Sequence, residues 1–250
     1  MKAFAKLTHE VDGEPRIAFD PPLIVPVEDV MPEGDARDVM HELRELIRVY
    51  RRSLQGDRRR LLESFRFVHI ARKVVGLGSV GTRAWIMLMF GRDGEDPLFL
   101  QCKEAGSSVL ESVLGKAKFA KPRSARRRGQ RLMQASSDIF LGWVHTKAGL
   151  DGQPRDFYIR QLWDWKTSAD RESILPDALL VYAQMCGWTL ARAHARSGDR
   201  IAIASYLGRG EAFDRALAEL SVAYADQNER DYASLREAAR SGRIPVEEGL

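Results

Sequence analysis

The spacing of apolar and polar positions changes character several times along the chain, and each change predicts a different kind of element. Residues 1–34 keep no lasting period and are punctuated by Pro15, Pro21, Pro22, Pro26 and Pro32. They read as an extended arm with little regular structure, which Phe19, Leu23, Ile24 and Val25 pack onto something else. From 35 to 55 the spacing of Val39, Leu43, Leu46, Ile47 and Tyr50 predicts an amphipathic helix. A second helix is expected from Asp57 as N-cap, with Leu61, Leu62 and Phe65 on its apolar side.

The period then shortens. Residues 67–103 read as three strands, with Thr82–Phe90 closed by the turn Gly91-Arg92-Asp93-Gly94 and Pro97–Lys103 following. One or two helical turns are expected over Ser107–Gly115, and a helix over Gly129–Phe140 that packs through Leu132, Met133 and Ile139. Two more strands, Leu141–His145 and Phe157–Trp163, flank the turn-forming stretch Gly149–Pro154. From Pro176 the period is helical again through Leu179, Tyr182, Cys186, Leu190 and Ala193, with Gly198 as the stop. A last helix is expected from Glu211 to Arg240. The fold class is α+β: an arm and two helices over 1–66, an antiparallel sheet with an inserted helix over 67–166, and a helical region over 167–250.

The stretch Gly76-Leu77-Gly78-Ser79-Val80-Gly81 has the form G-x-G-x-x-G, and Lys103 stands inside an apolar strand downstream. Glycines at this spacing allow bare backbone N–H groups to approach phosphate oxygens, and a lysine supplies a point charge for the same group. A dinucleotide fold needs a helix starting at the loop. Here a strand and a turn follow instead, an order that protein kinases use for the roof of the ATP site. The pattern alone leaves a phosphate cradle and a plain hairpin both open. Alternation puts Phe99, Gln101 and Lys103 on one face of their strand and Leu100, Cys102 and Glu104 on the other. Glu111 and Gln130 are candidate partners for Lys103. His194, near a helix end, reads as a packed or dipole-stabilised residue and not as a catalytic one.

Composition changes this picture little. A net charge of +4 over 250 residues gives no argument for nucleic acid. The basic segment Lys116–Arg131 has only Phe119 for stacking and reads as a solvated loop. Cys102 and Cys186 make neither a metal site nor a disulfide framework. The N-terminus has no signal-peptide core and no apolar run reaches membrane-spanning length, so a cytoplasmic protein is expected.

Several blocks taken together resemble the bacterial domain-of-unknown-function family 2252. They are Ala71–Arg83, Asp96–Ala105, Gly129–Gln134, Tyr158–Leu162, Leu190–Asp199 and Tyr224–Tyr232. The resemblance implies a kinase-like fold, similar to aminoglycoside-phosphotransferase-type kinases, with ATP and magnesium as ligands. It also implies a longer whole, in which a preceding half carries a Gly-Asp-x-His-x-x-Asn-like block and an Asn-Asp-Phe-Asp-like block. This sequence carries neither. The chain is therefore expected to correspond to the C-terminal, glycine-loop part, to bind nucleotide without completing phosphoryl transfer alone, and to meet a separately encoded half or a second copy of itself. On that expectation, apolar surface should lie open at Phe19, Leu23, Ile24, Leu43, Leu46 and Ile47. A non-catalytic binding or scaffold module with the same fold is the alternative.

Overall fold

The computed structural model describes residues 2–30, 36–74, 81–92, 96–115, 129–147, 153–162, 169–170 and 173–246. The chain opens with helix α1 (Lys2–Leu7), followed by a hairpin of β1 (Thr8–Val11) and β2 (Glu14–Ile17). Val11 pairs with Glu14, so Asp12-Gly13 is a two-residue turn, and both residues have positive φ (53° and 78°). Asp-Gly suits such a turn because its twist matches that of the strands and neither residue resists a left-handed backbone strongly. The arm expected over 1–34 is thus, over 2–30, a structured cap. Pro15 and Pro26 lie in short strands near their ends, and Pro21 and Pro22 lie in the connection, where a missing N–H costs little; Pro32 lies outside the described residues.

Next come β3 (Ile24–Pro26), α2 (Val27–Val30), α3 (Ala36–Ser53) and α4 (Gly56–Leu62). Helix α4 has its N-cap at Gln55, two residues earlier than the expected Asp57, and Asp57 sits in its first turn. Strands β4 (Arg66–Lys73), β5 (Ala84–Phe90) and β6 (Pro97–Glu104) follow, then the short helix α5 (Glu111–Leu114), β7 (Gly142–Thr146) and β8 (Arg155–Gln161). The segment expected as a helix over 129–140 is helical only over 129–133. Strands β3 to β8 form one six-stranded sheet in the order β3-β4-β5-β6-β8-β7, with every neighbouring pair antiparallel.

The sheet is covered on both faces. Trp85, Met87 and Met89 of β5 and Leu98, Leu100 and Cys102 of β6 pack with Ile47 and Tyr50 of α3, with Leu54 just after it and with Leu62 of α4. Ile86, Leu88 and Phe90, with Phe99, face the other way, towards Leu7, Ile17 and Ile24 of the cap. A register shift between Phe67 and His69 lets Phe67 and Ile70 both serve the helix-covered face. Helix α3 comes very close to β7: Tyr50 donates its hydroxyl to Phe140 O at 2.6 Å, and Ser53 Oγ accepts the Trp143 N–H at 2.9 Å. A Cβ on Gly142 would stand 2.6 Å from both Ser53 Oγ and a Tyr50 ring carbon.

The chain forms two compact units, residues 1–193 and 194–250. Helix α6 (Pro176–Ser197) begins in the first unit; α7 (Arg200–Leu207) and α8 (Ala212–Arg240) belong to the second. Asp199 caps α7 by accepting the Ile201 and Ala202 N–H groups. The sequence pattern gave no expectation of α7, although Asp199 is a strong cap residue. The apolar surface expected on the arm and first helix is largely absent there: Ile24 and Ile47 are buried, and Leu23, Leu43 and Leu46 pack against the two cores. Phe19 alone stays well exposed, at 56%. The cap and α3 fill the sheet's own faces. Exposed large apolar residues lie instead on the later helices: Val113 and Leu114 on α5, Met185 and Trp188 on α6, Ile201 and Tyr206 on α7, and Tyr224 and Tyr232 on α8.

The cap is fastened to the sheet through His69, which is 6% exposed. Its Nδ1 accepts the Ile17 N–H at 3.1 Å, and its Nε2 faces the Glu28 carboxylate at 3.2 Å. A nitrogen that accepts carries no proton, so the ring is neutral with its proton on Nε2. Burial lowers the His69 pKa, outweighing the opposing pull of Glu28. The folded state therefore takes up this proton less readily than the unfolded chain, and stability falls as pH drops below about 6.5 towards the folded value. Thermal melts should show wild type losing stability between pH 7.5 and pH 5.5, with the gap to His69→Gln narrowing over that range; a constant gap would remove His69 from the effect. Gly142→Ala should destabilise the fold by about 1–3 kcal/mol in denaturant titrations, because α3 must retreat from β7.

Candidate functional site

Strands β4 and β5 are antiparallel neighbours, so the connection between them leaves and returns at one end of the sheet. Of the candidate loop residues, Gly76, Leu77, Gly78, Ser79 and Val80 lie outside the described residues. Gly81 is described, with φ +80°, a conformation that favours glycine. A turn and then β5 follow it, so no helix begins at the loop and the dinucleotide-fold arrangement is not formed.

Register carries the loop's end to the lysine. Ala84, three residues beyond Gly81, pairs directly with Lys103 on β6, and Lys103 pairs on its other side with Tyr158 of β8. The expected alternation holds: Leu98, Leu100 and Cys102 enter the helix-covered core, while Phe99 enters the opposite one. Gln101 and Lys103 follow Phe99 along that second face. Gln101 is buried and Lys103 is half-buried.

Glu104 turns away from Lys103 and clamps the strands. Its carboxylate accepts the Arg83 backbone N–H at 3.2 Å, the Arg83 guanidinium at 3.3 Å and the Arg155 guanidinium at 2.6 Å, while its own N–H donates to Arg83 O at 2.9 Å. Three strand ends, β5, β6 and β8, are thus tied together beside the glycine loop. Burial by itself would raise the Glu104 pKa, but the Arg83 N–H and the two guanidinium groups hold it below the usual carboxylate range. Sequence reasoning placed Glu104 on the correct side without its role. Arg155 shows no signal at the sequence level, because its contact depends on β8 returning beside β6; Arg83 faces Glu104 through the register of the β5–β6 hairpin.

The other candidates are placed as follows. Glu111 opens α5, seven residues beyond Glu104, and Gln130 lies in the helical turn over 129–133. The chain after that turn is tied to the sheet just before β7 begins: Asp138 accepts the Gln161 N–H at 2.7 Å and the Phe140 N–H at 2.7 Å. Leu141 packs there with Tyr158 and Ala105. Cys102 is buried and its thiol is pushed up to about 12 by loss of solvation, so it is no nucleophile at neutral pH. His194 is exposed in the last turn of α6. Among the described residues, no group of three or more His, Cys, Asp or Glu side chains could hold a metal ion, and no helix is long and apolar enough to cross a membrane. The basic segment 116–128 lies outside the described residues.

These observations define an α+β protein whose antiparallel sheet sets a lysine beside the end of a glycine-rich hairpin connection. The chain belongs to a bacterial family described as uncharacterized protein conserved in bacteria (DUF2252), whose model matches residues 1–238. That match covers nearly the whole chain, the N-terminal cap included, and not a C-terminal part alone. No curated protein and no solved structure matches the chain.

The clamp gives a direct expectation. Its carboxylate binds fewer protons folded than unfolded, so its contribution is full above about pH 4.5 and is lost as pH falls through the lowered folded value. Glu104→Gln should cost about 1–3 kcal/mol at pH 7. Urea titrations at pH 7 and pH 4 should show the difference from wild type shrinking at the lower pH; an equal difference at both would contradict a charged clamp.

Proposed function

We propose that the six-stranded sheet is a kinase-like nucleotide-binding lobe, in which the Gly76–Gly81 loop cradles the phosphates of ATP with magnesium and Lys103 supplies their counter-charge. The observation that carries this reading is the pairing of Ala84 with Lys103, which brings the chain leaving the glycine loop beside the only lysine of β6. Order along the chain supports it as well. Strand, glycine loop, strand, lysine strand and a short helix opening with Glu111 repeat the sequence of parts with which protein kinases hold ATP. Glu111 and Gln130 are the candidates for steadying the lysine.

The proposal is for binding. Phosphoryl transfer also needs a base or positioning group and acidic or amide ligands for the metal. The blocks that resemble such parts in the family are not in this sequence, so the reading is confined to binding. A non-catalytic binding module is the second reading, and the exposed apolar side chains of α6, with Trp188 at 62%, favour it.

Calorimetry with ATP and magnesium separates the two. Lys103→Ala should raise the dissociation constant about ten-fold to a hundred-fold, since a hydrogen bond to a charged group contributes roughly 1.5–3 kcal/mol. His194→Ala should leave it unchanged. Equal affinity in wild type and Lys103→Ala would remove the lysine from the site, and no binding to folded wild type would leave the binding module.

A further inference from the structure

Beside Lys103, the same face of the sheet carries a buried donor without an acceptor. Arg160 of β8 pairs with Gln101 of β6, and its Nη2 donates to Gln101 Oε1 at 3.4 Å. Gln101 is only 2% exposed. Arg160 Nε is buried and has no hydrogen-bond partner. A guanidinium has donors only, and the single side-chain acceptor of Gln101 is already turned to it. Arg160 and Gln101 thus turn donors towards anything docking beside them. Leaving a buried donor unmatched is unfavourable, and few such groups persist in folded proteins without a reason. Gln101 and Lys103 are two residues apart on one face, about 7 Å along the strand. A single ligand held by Lys103 thus reaches Arg160.

We propose that Arg160, with Gln101 behind it, is a ligand-selecting subsite that admits only a group presenting hydrogen-bond acceptors, so that the bound molecule touches Lys103 and Arg160 together. This rests on the nucleotide-binding reading of Lys103 and deepens it. Two parts of a nucleoside triphosphate have the required chemistry. One is a second phosphoryl group, whose oxygens accept a forked guanidinium pair. The other is the O6 and N7 edge of a 6-oxo purine, which arginine reads by the same fork. The edge of a 6-amino purine sets a donor against donors and is rejected.

Calorimetry with magnesium and ATP, GTP or inorganic tripolyphosphate, on wild type, Arg160→Met and Arg160→Lys, tests this. Circular dichroism melts establish that each variant is folded. Arg160→Met should weaken GTP binding about ten-fold or more, and Arg160→Lys, which keeps the charge and loses the fork, should restore it only in part. An effect on GTP with tripolyphosphate untouched assigns the subsite to the base edge; an effect on all three assigns it to a phosphoryl group. A loss confined to ATP overturns the acceptor-only rule. Unchanged binding of all three in both folded variants, with Lys103→Ala still impaired, overturns the subsite and leaves the nucleotide site standing. If none of the three binds folded wild type, both fall. Should Arg160→Met fail to fold, Arg160→Lys decides, with unchanged GTP affinity counting against the subsite.

Discussion

Strand β5 is buried at all seven of its positions, Ala84 to Phe90, and that constraint organises the rest of the first unit. A strand with no solvent face needs cover on both sides. Helices α3 and α4 supply one cover, with Ile47, Tyr50 and Leu62 against Trp85, Met87 and Met89. The other must come from elsewhere, and the N-terminal cap provides it through Leu7, Ile17 and Ile24. The cap is held by edge pairing of β3 with β4, by apolar contact and by neutral His69 receiving the Ile17 N–H.

The same constraint positions the candidate site. Cover from the cap reaches Phe90, Phe99 and Leu162, towards one end of β5 and β6. At the other end, where β5 begins and β6 finishes, the second face carries Gln101, Lys103 and Arg160 beside the buried cluster of Ala105, Leu141 and Tyr158. The Glu104 clamp works on the opposite face of that end, fixing Arg83 and Arg155. Geometry there is thus held from behind, by charge-assisted hydrogen bonds.

Periodicity made much of the sheet legible. The strand runs around Ala84–Phe90 and Pro97–Lys103 and the alternation that separates Lys103 from Cys102 were readable because each follows from local pleat and turn chemistry. The cap was not read, although Asp12-Gly13 between short alternating stretches is a hairpin signal; five prolines masked it. Helix α7 was likewise hidden behind Gly198, a stop that Asp199 converts at once into a new start. Residues that act across strands were out of reach. Arg155 and Arg160 lie some fifty to sixty positions from Glu104 and Gln101, and nothing short of the β6–β8 pairing brings them there.

The central claim is that the end of the sheet where the glycine connection meets Lys103 binds nucleotide phosphates. Backbone amide NMR of the full chain, titrated with ATP and magnesium, tests it most directly because it reports place as well as affinity. The account predicts shifts concentrated at Gly76–Ala84 and at Lys103, with the cap residues Thr8–Ile17 and helix α8 unmoved. Saturable shifts confined to the helices α6–α8, with the glycine connection and Lys103 silent, would contradict it.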